Sequence, residues 1–139
     1  MKNECLINEA IKVMSYSYSS YSNFKVGAAL LTESGKIYTG CNIENASFSA
    51  TNCAERTAFF KAISEGERNF EKIAIVGGLN GIVSDYTPPC GICRQVMSEF
   101  CKPDFKIILA KSENEYIEYK LSEILPLSFS SVNLETNHG

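Results

Sequence analysis

The sequence predicts an α/β fold in three layers, α/β/α, with helices on both faces of a mixed central sheet of about five strands. Three observations carry that expectation. An amphipathic helix opens the chain, a hairpin of two apolar extended stretches follows it, and helices and strands then alternate to the end. A hairpin makes its strands antiparallel, whereas strands separated by helices join in parallel, so the sheet must be mixed.

The elements follow in order. Leu6, Ala10, Val13 and Met14 recur at helical spacing, so a helix is expected over residues near 3 to 18, with a polar connector from Tyr16 to Asn23. Phe24 to Leu31 and Lys36 to Cys41 are extended and apolar, and Glu33-Ser34-Gly35 supplies the turn between them. Asn52 to about Ser64 reads as a helix with Ala58, Phe59 and Ala62 facing inward. Lys72 to Gly78 is a short buried strand, and Pro88 and Pro89 open a helix running from about Cys90 to Phe100. Phe105 to Ala110 is the next strand, and Tyr116 to Tyr119 the fifth.

The 139 residues, 45% of them hydrophobic, are enough for one domain with its own core across the whole length. A net charge of −3 and the absence of any Lys/Arg cluster exclude polymeric nucleic acid as an expected partner. No run of apolar residues is long enough to span a membrane, and the first residues lack the apolar run of a signal peptide, so a cytoplasmic protein is expected. In a reducing compartment the six cysteines point to metal or catalytic thiols rather than to disulfides.

Two segments carry chemistry: Cys53-Ala54-Glu55-Arg56 and Pro89-Cys90-Gly91-Ile92-Cys93. Both fall at expected helix starts, where unpaired amides and the positive dipole end favour thiolates, and the Cys-x-x-Cys spacing lets two sulfurs reach one ion. Thiolate softness selects zinc. Cys53, Cys90 and Cys93 make three ligands, which describes a catalytic ion with an open position; a structural site would need a fourth from Cys5, Cys41, Cys101 or His138. Glu55 lies two residues from a ligand, placed to move protons without ligating. The alternative is a capping box in which Glu55 reaches back to the Asn52 amide. Arg56 follows Cys53 by one helical turn and can donate to ligand sulfurs, or can be a plain surface arginine.

Four motifs in order, Ser22-Asn23-Phe24-Lys25-Val26-Gly27-Ala28-Ala29-Leu30, Gly40-Cys41-Asn42-Ile43-Glu44-Asn45-Ala46, Cys53-Ala54-Glu55-Arg56-Thr57-Ala58 and Pro89-Cys90-Gly91-Ile92-Cys93-Arg94-Gln95, resemble the cytidine deaminase family of the short-chain, homotetrameric kind. The resemblance implies one Zn²⁺ per chain, a free pyrimidine nucleoside as substrate, Glu55 as the catalytic proton carrier and a place in pyrimidine salvage. It further implies that Phe24 borders the pyrimidine, that Asn42 and Glu44 bond the ribose hydroxyls, and that the Ala54 backbone lies against the base. Without it, Asn42 and Glu44 are equally a polar loop and Phe24 equally core. Leu125-Pro126-Leu127-Ser128-Phe129 resembles the family's C-terminal motif, whose Phe enters a neighbouring subunit's site; Phe129 docking on its own core is the alternative. Three positions depart from the pattern: Pro88 for Ser, Ile92 for a small residue and Phe48 for Tyr. Two rivals remain: a deaminase of another aminated ring, such as a blasticidin-like antibiotic, and a non-catalytic closed zinc module.

Overall fold

The computed structural model describes residues 1–135; His138, one of the candidate fourth ligands, lies outside them. Helix α1 (Asn3–Met14) leads into β1 (Phe24–Thr32) and β2 (Ile37–Cys41), and a 3-10 turn at Phe48–Ala50 precedes α2 (Ala54–Ser64). Strand β3 (Phe70–Leu79), α3 (Gly91–Phe100), β4 (Lys106–Ser112) and β5 (Glu115–Lys120) follow, with single helical turns α4 (Leu121–Ile124) and α5 (Ser131–Leu134) at the end. The sheet runs β2-β1-β3-β4-β5, antiparallel except for the β3–β4 pair.

Alternation along the central strands divides the core in two, because successive side chains point to opposite faces. Ala28 and Leu30, Ile73 and Ile75, Ile107 and Leu109 face α2 and α3, where Ala58, Phe59, Ala62 and Met97 cover them. Ala29 and Leu31, Ala74 and Val76, Ile108 and Ala110 face α1, whose Leu6, Ile7, Ala10 and Met14 form the second cluster. The expected three layers and five strands are therefore present. Ridges on the helices approach the sheet so closely that two glycines are obligatory. A Cβ at Gly27 would collide with the Ala10 carbonyl of α1, and one at Gly40 would lie 2.5 Å from both the Ala54 carbonyl and the Ala58 amide of α2. Gly40 thus seats the first turn of α2 directly on β2, which sets where that turn's side chains stand.

Several element limits differ from the sequence expectation, each for a local reason. Helix α1 stops at Met14 rather than near 18: Ser15 Oγ folds back onto the Lys12 carbonyl at 2.8 Å, and the following segment pairs with residues 42–44 instead. Helix α2 starts at Ala54, because Asn52 is held in a two-way bridge with Ile43, each amide donating to the other's carbonyl at 2.9 Å. Pro88 and Pro89 precede α3 rather than opening it, leaving Cys90 as its N-cap. Among the described residues no helix is long and apolar enough to cross a membrane.

Candidate active site

The N-termini of α2 and α3 converge on one point. Cys53 is the N-cap of α2 and Cys90 the N-cap of α3, while Cys93 lies in the first turn of α3, almost fully buried. Their sulfurs gather within 4.8 Å of one another, with Cys53 to Cys90 at 3.7 Å and Cys90 to Cys93 at 3.5 Å. A tetrahedral zinc with Zn–S bonds of about 2.3 Å requires sulfurs roughly 3.8 Å apart, which the Cys53–Cys90 and Cys90–Cys93 separations match. Among the described residues no other His, Cys, Asp or Glu joins the group: Cys5, Cys41 and Cys101 are free thiols elsewhere.

The electrostatics of the trio show what it lacks. Three sulfurs in contact cannot all ionise without a cation, and the protein resolves this by unequal sharing of protons. The Cys53 thiol is held well below its usual range, first by a hydrogen bond from Cys93 and then by Arg56, whereas the Cys93 thiol is pushed up because its proton is committed to Cys53. A dication would release that proton and make all three sulfurs thiolate donors. Arg56 Nη2 donates to Cys53 Sγ at 3.1 Å, as its spacing anticipated, so it is not a free surface arginine.

Glu55 is only 4% exposed, and burial pushes its carboxyl up to about 7. The capping-box alternative is removed by the structure: the Asn52 amide already donates to the Ile43 carbonyl, and Cys53, not Asn52, is the N-cap. Glu55 opens instead on a cleft of about 260 Å³ that also holds Cys53, Cys90, Ala54, Phe24, Asn42 and Glu44. Seven of the expected residues, Phe24, Asn42, Glu44, Cys53, Ala54, Glu55 and Cys90, thus line one cleft, with Cys93 buried behind it beside the other two sulfurs.

Hydrogen-bond inventories define what Asn42 and Glu44 have left to offer to the cleft. The Asn42 Oδ1 accepts from the Val26 amide at 2.9 Å and from Ser17 Oγ, and its Nδ2 donates to the Phe24 carbonyl at 2.7 Å. One N–H remains, out of two donors and two lone pairs on the amide. The Glu44 carboxylate accepts from the Tyr21 amide at 2.9 Å, from the Ser22 amide at 3.0 Å and from Ser22 Oγ, which holds it below the usual carboxylate range. About one of its four acceptor directions remains. Neither residue is a loose polar loop. Sequence reasoning missed Ser17 and Ser22 as their partners, because a serine in a polar connector carries no signal of what it will face.

Phe129 stands apart from the cleft of its own chain. Its carbonyl accepts from Gln95 Nε2 at 2.7 Å, and Arg94 Nη1 holds the Ile124 carbonyl at 2.8 Å, so the C-terminal segment is tied across α3. The ring itself is 58% exposed and belongs to neither core cluster, so it does not dock on its own core. Of the three departures, Pro88 forms part of the cleft wall, Phe48 stacks edge-to-face on Tyr21 with ring centres 6.2 Å apart, and Ile92 points to solvent.

Comparison with known proteins agrees with this arrangement. Residues 1–109 match the family described as the cytidine and deoxycytidylate deaminase zinc-binding region. A cytidine deaminase of Sporosarcina psychrophila is 48% identical over 134 residues, covering 96% of each chain. One from Halalkalibacterium halodurans is 47% identical over 134 residues, 96% of this chain and 98% of its own. The crystal structure of a cytidine deaminase from Burkholderia pseudomallei superposes with a TM-score of 0.86 at 43% identity, over 93% of this chain and 100% of that one.

Proposed function

The chain belongs to the cytidine and deoxycytidylate deaminase family, and from that premise we propose that it hydrolyses cytidine and deoxycytidine to uridine and deoxyuridine with release of ammonia. The observation that carries this reading is three convergent sulfurs beside a cleft lined by the buried Glu55 carboxyl, Asn42 and Glu44. Cys53, Cys90 and Cys93 would hold zinc. The bound ion supplies the Lewis acidity that makes water a nucleophile near neutral pH. Glu55 takes the proton that the water loses on adding to C4 and delivers it to N3, then takes the proton of the new C4 hydroxyl and passes it to the departing amine, so that the C4–N bond breaks as the carbonyl forms. A carboxyl raised toward 7 suits a group that must both take and give a proton at neutral pH. Phe24 and Ala54 line the same cleft, where the Phe24 ring and the Ala54 backbone would border the base.

Specificity follows from the walls. Among the described residues the cleft is lined by neither Lys nor Arg and carries the Glu44 carboxylate, so it favours an uncharged nucleoside over a phosphate-bearing substrate or a polymer. One free N–H at Asn42 and one free lone-pair direction at Glu44 match a single hydroxyl, which both accepts and donates. Deoxycytidine should then be used at a rate within about tenfold of cytidine, the worth of one hydrogen bond. Loss of cytosine absorbance in the ultraviolet, with about one zinc per chain, tests this. No conversion of either nucleoside by zinc-loaded protein would sink the reading, and exclusive use of cytidine would sink the single-hydroxyl inventory.

The assembly is proposed to be a homotetramer in which Phe129 completes a neighbour's cleft. Supporting this, Leu127, Phe129, Val132 and Leu134 are exposed apolar side chains within eight residues of one another in sequence, more than a surface left to solvent usually carries. Phe129→Ala should raise KM about fivefold, the worth of one aromatic stack, with kcat little changed. A fully active monomer on gel filtration would overturn both the assembly and the role. Free thiols at all six cysteines suit the reducing cytoplasm proposed as its compartment; recovery of the protein in an oxidising compartment with its cysteines paired would contradict that.

A further inference from the structure

We propose that Ser22, on the connector between α1 and β1, is a positioning residue that fixes the Glu44 carboxylate for sugar recognition and ties it to the wall that borders the base. The inference rests on the assignment of Glu44 to the sugar. It begins with the path of the connector, which runs beside residues 42–44: the Tyr18 amide donates to the Asn42 carbonyl at 3.1 Å and the Glu44 amide to the Tyr18 carbonyl at 2.8 Å. That pairing brings one serine to each polar reader, Ser17 to Asn42 and Ser22 to Glu44.

Ser22 contributes more than its neighbour. Its amide donates to Glu44 Oε1 and its hydroxyl to Oε2, so both carboxylate oxygens are held by one residue and the plane of the group cannot rotate freely. The same hydroxyl accepts from the Phe24 amide at 3.0 Å. Sugar reader and base wall are thereby joined through a single oxygen. The turn that permits this is fixed at Asn23, which adopts φ 59°, donates to the Ser19 carbonyl at 2.8 Å and accepts from the Asn80 amide at 2.6 Å. Asn suits that left-handed position better than most side chains. A purely structural reading, in which Ser22 only caps the start of β1, predicts damage to every substrate alike.

The test compares cytidine with 2′,3′-dideoxycytidine, which keeps the base and loses the hydroxyls. In Ser22→Ala, KM for cytidine should rise roughly tenfold, as expected when one charge-assisted hydrogen bond no longer orients its acceptor. The kcat for cytidine should stay within about twofold, and kcat/KM for the dideoxy substrate should fall several-fold less than for cytidine, because that substrate senses Ser22 only through the Phe24 wall. Ser22→Thr keeps the hydroxyl and should restore KM. An unchanged KM, or equal loss on both substrates without rescue by threonine, overturns the proposal. Wild-type protein that ignores cytidine would overturn the assignment of function, and this inference with it; wild type that turns over cytidine while Ser22→Ala behaves identically overturns this inference alone.

Discussion

Glu55→Gln should lose turnover by roughly a thousandfold or more while the protein keeps its zinc, the scale expected when a positioned general acid–base is removed. Glutamine has the same shape, so α2 and its seat on Gly40 are undisturbed; what disappears is the ability to take a proton and return it. The substitution also has a stability signature. A carboxyl whose folded value is raised from its ordinary range to about 7 opposes folding progressively as pH rises through that window, because the unfolded chain releases the proton first. In metal-free protein, Glu55→Gln should therefore raise the thermal midpoint at pH 7.5 and leave it nearly unchanged at pH 4, where the carboxyl is protonated in both states. Loss of activity together with gain of stability is the mark of a group kept for chemistry. Activity within tenfold of wild type would remove Glu55 from the role, and a falling midpoint at pH 7.5 would show that it serves the fold.

The same residue shows why parts of the fold and site were legible in the sequence. Cysteines at helix starts and a carboxyl two positions from a ligand are local patterns, and local patterns survive into the structure: the three sulfurs and Glu55 stand together as their spacing implied. Strand alternation was equally local, and Ala28 to Leu31 divide between the two cores residue by residue. What could not be foreseen was set by contacts remote in sequence. Nothing near Asn52 says that its amide will pair with Ile43, which moves the start of α2 and removes the capping box. Nothing near Ser15 says that the residues after it will line up along Asn42 and Glu44 rather than continue the helix.

Cys93→Ser should reduce zinc from about one per chain to a trace and abolish turnover with it, because a two-sulfur remnant no longer closes three sides of a tetrahedron. Cys93 is the informative ligand since it is almost fully buried beside the other two sulfurs. Serine fills the same space without a soft donor, so circular dichroism and the core should survive while metal analysis fails; retention of one zinc would show that a fourth donor exists. Arg56→Gln tests the charge balance of the same centre. Three thiolates around a dication leave a net negative charge that the Arg56 guanidinium, 3.1 Å from Cys53 Sγ, offsets. Yet Arg56 sits in the first turn of α2, where a cation works against the helix dipole, and its Nε is buried without a partner. Glutamine relieves both costs. Chelator competition should strip zinc from Arg56→Gln faster than from wild type. A variant that melts lower and holds zinc equally well would make Arg56 a structural residue and leave the thiolate charge to the two helix N-termini alone.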